Sequence, residues 1–166
     1  TYHPGHEQAQ ELIGFLKDVA SCSDKLSCRM SEIENPVLEF TLLKDDMETG
    51  IKFRGIPGGH EFTSLLLAVL NADGKGKNLP DEVNSSPGIR ALQGDISLQT
   101  YVSLTCTNCP DVVQALNIIA LLNPHVTHEM VDGALNQEEV DALKIQAVPS
   151  VYANGKLLHG RSRFFR

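Results

Sequence analysis

A chain of 166 residues, 42% apolar and 21% charged, can bury a core as one ordinary domain or two small ones, so its four cysteines are too few to be its scaffold. The net charge of −7 argues against nucleic acid and anionic membrane as partners. The longest apolar runs, such as Leu65 to Leu70, are far too short to span a bilayer, and the start is not signal-like.

Thr1-Tyr2 reads as the tail of a strand, so the chain is expected to be a piece of a longer one, and His3-Pro4-Gly5-His6 reads as a turn. Glu7 to Ala20 carries Ala9, Leu12, Ile13, Leu16, Val19 and Ala20 on one helical face. Leu26, Cys28 and Met30 alternate with polar residues, which predicts a strand. After Asn35-Pro36, the pattern predicts a strand over Val37 to Leu43, a polar turn over Asp45 to Gly50 and a returning strand over Ile51 to Arg54. Pro57-Gly58-Gly59 breaks the chain before an apolar helix from His60 to Leu70. Asn71 to Asn78 is the most linker-like stretch, and Leu79 to Gln93 is weakly helical, with Ser86 able to cap a short helix opened by Pro87.

The second half predicts a strand over Ile96 to Leu104, a helix over Pro110 to Leu122 and a strand over His125 to Val131. Asn136 with Glu139 offers a capping box for a helix to Leu143. Val148-Pro149 leads into a strand from Ser150, and Asn154-Gly155 signals a type I′ hairpin. Gly160 onward reads as the start of a final helix.

Between the strand ending at Leu104 and the helix from Pro110 stands Cys106-Thr107-Asn108-Cys109. A strand that ends in Cys-x-x-Cys and opens a helix is a redox arrangement. One helical turn holds both sulfurs close enough for a small disulfide ring. The helix's first amides and positive dipole end favour Cys106 as a thiolate, the nucleophile of disulfide exchange, and Cys109 resolves. Half a zinc site is the competing reading, but Cys22 and Cys28 lie in the other half at unsuitable spacing. These two read as structural thiols. His3 and His6 read as turn histidines, and Asp111 reads as an acid stabilising the first helical turn. Glu61 is either a simple helix N-terminal acid or a partly buried carboxylate that faces the dithiol and exchanges its protons.

The halves echo each other. With His3-Pro4-Gly5-His6 set on Cys106 to Cys109, the following helices match in apolar phase, and Asn35-Pro36 with its hairpin falls on Val148-Pro149 with its own. The order strand, helix, strand, helix, Pro-strand, hairpin strand, helix predicts an α/β fold of two tandem thioredoxin-like units. Each is a mixed sheet flanked by helices. The unit over 1–78 is degenerate and lacks Cys-x-x-Cys; the unit over 79–166 is redox-active.

Cys106 to Asn117 and Val148-Pro149 resemble the thioredoxin and glutaredoxin superfamily. Together with Gly59-His60-Glu61-Phe62-Thr63-Ser64-Leu65, Tyr101, Ser103-Leu104, Val131-Asp132-Gly133 and Asn154-Gly155-Lys156, they resemble the N-terminal domain of the F subunit of alkyl hydroperoxide reductase across essentially the whole chain. The resemblance implies a cytoplasmic parent flavoenzyme, commonly a homodimer, in which NADH reduces FAD, FAD reduces a dithiol in the flavoprotein body, and that dithiol reduces Cys106-Cys109. The domain then reduces the disulfide of a peroxiredoxin, the C subunit, which detoxifies peroxides. The resemblance also implies a cis bond at Val148-Pro149 beside Cys106, and a substrate surface of Thr105, Thr107, Asn108, Val148 and Pro149. The resemblance further implies an N-terminal helix and first strand and a terminal helix, and leads one to expect a longer connecting helix in place of the Pro87-Gly88 break. The alternatives are a free-standing, glutaredoxin-like two-fold protein disulfide oxidoreductase and a non-catalytic metal-binding module.

Overall fold

The computed structural model describes residues 1–2, 4–34, 37–73 and 87–160. Helix α1 (Ala9–Ser21) is followed by the hairpin of β1 (Glu39–Lys44) and β2 (Met47–Arg54). A 3-10 turn (Gly59–Glu61) runs into α2 (Phe62–Ala72), and a short α3 (Pro87–Arg90) precedes β3 (Ile96–Val102). Helix α4 (Cys109–Leu122), β4 (Val126–Asp132), α5 (Gln137–Ala142), β5 (Ser150–Ala153) and β6 (Lys156–His159) complete the described elements. None of the described helices is long and apolar enough to cross a membrane.

The six strands form one sheet in the order β1-β2-β4-β3-β5-β6. β2 and β3 both pair parallel with β4, and the remaining pairs are antiparallel. The pairing of β3 with β4 and β5, and of β5 with β6, has a counterpart in the first half. There Tyr2 bridges Glu32 in parallel and Leu38 in antiparallel sense, and β1 pairs with β2. The strand pattern of one thioredoxin-like unit thus occurs twice, and the two copies share an uninterrupted sheet through β2 and β4.

The alternation along these strands decides which face each residue takes. Ile51 and Phe53 of β2, Val102 of β3 and Met130 of β4 pack with Leu65 and Ala68 of α2 and Val113 and Ala120 of α4. Ile51 and Phe53 are fully buried, and each such side chain stabilises the fold by about 1.5–3 kcal/mol. On the opposite face Tyr101, Val131 and Tyr152 pack against Val140, Leu143 and Ile145. Tyr101 and Tyr152 meet edge to face, with ring centroids 5.5 Å apart.

Several expected boundaries shift for local reasons. The first hairpin turns on Asp45 and Asp46 alone, both at positive φ, a conformation that short polar side chains tolerate. Met47 to Gly50 therefore extend β2, and the Thr49 hydroxyl donates to the Leu42 carbonyl across the hairpin at 2.7 Å. Leu26 to Ser31 is not a strand; pairing on this side begins only at the Glu32 bridge. Alternation supplies a face, but a strand also needs a neighbour to bond. The capping box before α5 does not form, because the Asn136 amide donates to the Asp132 carbonyl at 2.8 Å and Glu139 turns to other partners. The Asn154-Gly155 hairpin is present, with both residues at positive φ. The expected Ser86 cap, the linker beyond Asp73, the division between residues 78 and 79, and the helix after Gly160 lie outside the described residues.

Candidate active site

β3 ends at Val102, and Ser103 to Asn108 carry the chain into α4. The Ser103 carbonyl accepts from the Cys106 amide at 2.9 Å, which curls the loop so that Cys106 meets the helix start. Cys106 and Cys109 are joined by a disulfide, with Cα atoms 5.5 Å apart. Cys109 is fully buried and belongs to the core beneath α4, whereas Cys106 is half-buried. The asymmetry fits an outer sulfur that meets a substrate and an inner one that resolves. The Cys109 amide donates to the Cys106 sulfur at 3.2 Å, one of the first-turn N–H groups that no helical carbonyl satisfies. The same donor, with the helix dipole, favours a thiolate at Cys106 once the disulfide is opened. Pro110 sits in the first turn, where its missing N–H costs little.

Thr105, Thr107 and Asn108 are exposed around the disulfide. Thr105 is held by Ser103: its amide lies 3.4 Å and its hydroxyl 3.1 Å from the Ser103 hydroxyl. Asn108 occupies the N-cap position of α4 without a side-chain capping bond. Val148-Pro149 is a cis peptide bond, and the Val148 carbonyl oxygen lies 4.0 Å from the Cys106 sulfur. Val148 is itself exposed beside the reactive sulfur.

Glu61 is fully buried at the end of the 3-10 turn, and neither carboxylate oxygen makes a hydrogen bond of regular geometry. Burial pushes its pKa above the ordinary carboxylate value, partly countered by the Ser64 hydroxyl and by His60. The turn packs against α4, and α2 packs along it. The Gln114 amide of α4 donates to the Ser64 hydroxyl at 3.3 Å. The His60 amide donates to the Leu104 carbonyl at 3.1 Å, two residues before Cys106. Gly59, at φ +54°, allows this approach: a Cβ there would stand 2.6 Å from the Leu104 oxygen.

The remaining candidates fall elsewhere. His6 accepts from the Gln8 amide at 3.1 Å in the turn before α1, and His3 lies outside the described residues. Cys22 is exposed at the end of α1. Cys28, half-buried, lines a cavity of about 380 Å³ between α1 and β1 and stands in coil rather than on the predicted strand. Asp111 is exposed in the first turn of α4. Among the described residues no group of His, Cys, Asp and Glu is arranged to hold a metal ion.

Sequence reasoning missed a polar cluster at the junction of the two halves. Arg54 of β2 donates through Nε to Glu129 of β4 at 3.2 Å and also pairs with Glu139 of α5. Gln99 donates to Glu129 at 2.9 Å, and the Tyr101 hydroxyl donates to Glu139. Burial opposes ionisation of Glu129, but the bonds from Arg54 and Gln99 hold its pKa below the ordinary carboxylate value. Arg54 is 75 residues from Glu129 and 85 from Glu139, and nothing local in the sequence marks them as partners.

Residues 96–160, the part that carries the disulfide and the cis proline, match the thioredoxin domain family. The F subunit of alkyl hydroperoxide reductase from Pseudomonas aeruginosa is 42% identical over 151 residues, which are 91% of this chain and 29% of that protein. An NADH dehydrogenase of Bacillus subtilis is 41% identical over 150 residues, 90% of this chain and 29% of that protein. The chain thus spans under a third of the length of these curated relatives. The crystal structure of the N-terminal domain of the F subunit of alkyl hydroperoxide reductase from Enterococcus faecalis superposes with a TM-score of 0.85 at 35% identity. That match takes in 98% of this chain and 83% of the other, so it extends over the degenerate half as well as the disulfide-bearing one. With both halves, their shared sheet and the Cys-x-x-Cys accounted for, the chain belongs to the family of N-terminal, thioredoxin-fold domains of the F subunit of alkyl hydroperoxide reductase.

Proposed function

We propose that this chain relays electrons by thiol–disulfide exchange from a dithiol in the flavoprotein remainder of a longer parent chain to the disulfide of a peroxiredoxin, for peroxide detoxification. The observation that carries the reading is the half-buried Cys106 sulfur, bonded to a buried Cys109 and flanked at 4.0 Å by the Val148 carbonyl. In the reduced form the Cys106 thiolate attacks one sulfur of the target disulfide. That bond breaks, a mixed disulfide forms, and the departing target thiolate takes a proton. Cys109 then loses its proton and attacks the Cys106 sulfur, releasing the second target thiol and restoring the Cys106–Cys109 disulfide. Two electrons pass to the target. Glu61 is assigned the proton exchange at the dithiol, which its burial and raised pKa support. Thr105, Thr107, Asn108, Val148 and Pro149 form the substrate surface, where the exposed Val148 backbone pairs with an extended segment of the target.

FAD and NADH belong to the remainder of the parent. The chain has no Gly-x-Gly-x-x-Gly, and the turn between β3 and α4, where a phosphate-binding turn would lie, is taken up by the dithiol. No step of the exchange runs through either cofactor. The assignment includes a cytoplasmic, homodimeric parent and a division into an inert unit over 1–78 and an active unit over 79–166.

The test is to incubate the reduced Cys109→Ser variant with oxidised peroxiredoxin and run a non-reducing gel. A covalent complex that a reductant dissolves and that Cys106→Ser removes is the expected result. A Cys109→Ser protein that still turns over would sink the assignment of roles.

A further inference from the structure

Two loops flank the reactive sulfur: Ser103 to Cys106 on one side and Val148-Pro149 on the other. Both are fastened to one short segment of the half that carries no dithiol. Gly59 and His60 lock the first loop, since the His60 amide holds the Leu104 carbonyl and Gly59 permits the contact by lacking a Cβ. Arg54 reaches the second loop through α5. Its guanidinium pairs with Glu139, which also accepts from the Tyr101 hydroxyl. α5 is only six residues long and has no side-chain cap, because Asn136 is engaged with Asp132. Its position rests on the Asn136–Asp132 bond at one end, on the packing of Val140, Leu143 and Ile145, and on the two bonds to Glu139. Leu143 and Ile145 lead directly into Val148-Pro149. Arg54 is mostly buried and also bonds Glu129, so it is a fixed anchor rather than a surface ion pair.

We propose that residues Arg54 to His60 of the dithiol-free half are a positioning strap that sets the spacing of the two loops around Cys106, and so controls recognition of a protein disulfide. This rests on the thiol–disulfide exchange reading above. Arg54 bonds Glu129 and Glu139, and Gly59 stands against Leu104, so their effect acts through the Val148 and Leu104 backbones. A target that binds by pairing its backbone with Val148 requires that spacing. A small aromatic disulfide, which needs only an accessible Cys106 thiolate, does not.

The reduced chain is mixed separately with oxidised peroxiredoxin and with dithionitrobenzoate, and both second-order rates are measured well below the melting temperature. In each reaction Cys106 and Cys109 lose two electrons to the added disulfide and close their own. Arg54→Ala and Gly59→Ala are expected to slow the peroxiredoxin reaction about tenfold while leaving the dithionitrobenzoate rate within about twofold. Arg54→Lys, which keeps the charge but not the fork, should recover part of the loss. Should Arg54→Ala fail to fold, Tyr101→Phe removes one bond to Glu139 with the ring retained and should shift the same ratio in the same direction. Equal slowing of both reactions, or no change in either, overturns the proposal. Failure of the unsubstituted chain to reduce dithionitrobenzoate overturns the exchange reading itself and is distinct from both.

Discussion

Glu61 is an acid buried without a hydrogen bond of regular geometry, an expensive placement that stability alone does not reward. Its folded pKa lies above the unfolded value near 4.5, so the unfolded chain releases this proton first as the pH rises. The stability associated with Glu61 is therefore complete below about pH 4.5 and is lost as the pH climbs toward its folded pKa. Thermal melts of the unsubstituted chain and of Glu61→Gln should converge in the acid range and separate toward neutrality, with the variant the more stable there. A gap that fails to open on raising the pH would remove the case for a strained acid. Glu61 also shows how far a single position reads from sequence. Its place at a helix start was legible, but the sequence left an ordinary helix N-terminal acid and a partly buried one both open, because burial depends on what packs over the turn.

At the scale of elements, α4 is tied to the sheet by a buried polar chain. The side-chain amide oxygen of Asn117 lies 2.7 Å from Nδ1 of His128, and Nε2 of His128 lies 2.8 Å from the Thr100 hydroxyl. These side chains join α4, β4 and β3 under the helix that bears the dithiol. His128 is fully buried, and burial pushes its pKa down to about 3. It is neutral in the fold, while the unfolded chain binds a proton below about pH 6.5. Its contribution is present above about pH 6.5 and declines as the pH falls toward 3, the opposite sign to Glu61. His128→Leu should flatten that decline in the melting midpoint. The same change should cost about 1–3 kcal/mol at neutral pH, since Asn117 and Thr100 lose their partner. A variant that tracks the unsubstituted chain across the acid range would show that His128 does not titrate on unfolding. The element boundaries were legible wherever a turn residue forced them, as at Asn154-Gly155. At α5 the bounds were legible too, with Asn136 at the N-cap and Leu143 at the C-cap, but the side-chain partners were not, since Asn136 bonds the Asp132 carbonyl and Glu139 bonds Arg54 and Tyr101.

Across the whole molecule the seam between β2 and β4 decides cooperativity. Ile51 to Arg54 pair with His128 to Val131, and the main core draws residues from both halves. Gly50 stands at the seam with φ +83°, where a Cβ would be 2.9 Å from the Val126 oxygen. Gly50→Ala should lower stability by about 1–3 kcal/mol through strain and displacement of β4. Urea unfolding followed by far-ultraviolet circular dichroism and by the burial of Cys109 in the reduced chain should give coincident transitions. Two separated transitions would show that the halves fold as independent units. Severing the chain between residues 78 and 79 should leave neither piece with a cooperative transition, because each loses one side of the shared core.

The sequence by itself determined the chemistry and the repeat. Cys106 and Cys109 at one helical turn, the proline after Val148 and the matching apolar phases are local patterns whose meaning depends on residues a few positions apart. Only the tertiary structure decided that the two units share one sheet and that Glu61 lies buried against α4. It also set Arg54 against Glu129 and Glu139, and Gly59 against the Leu104 carbonyl beside the dithiol loop. Those facts arise from pairings between residues far apart in the chain. No local periodicity encodes such pairings, because a strand's alternation specifies which face is apolar but not which strand lies beside it.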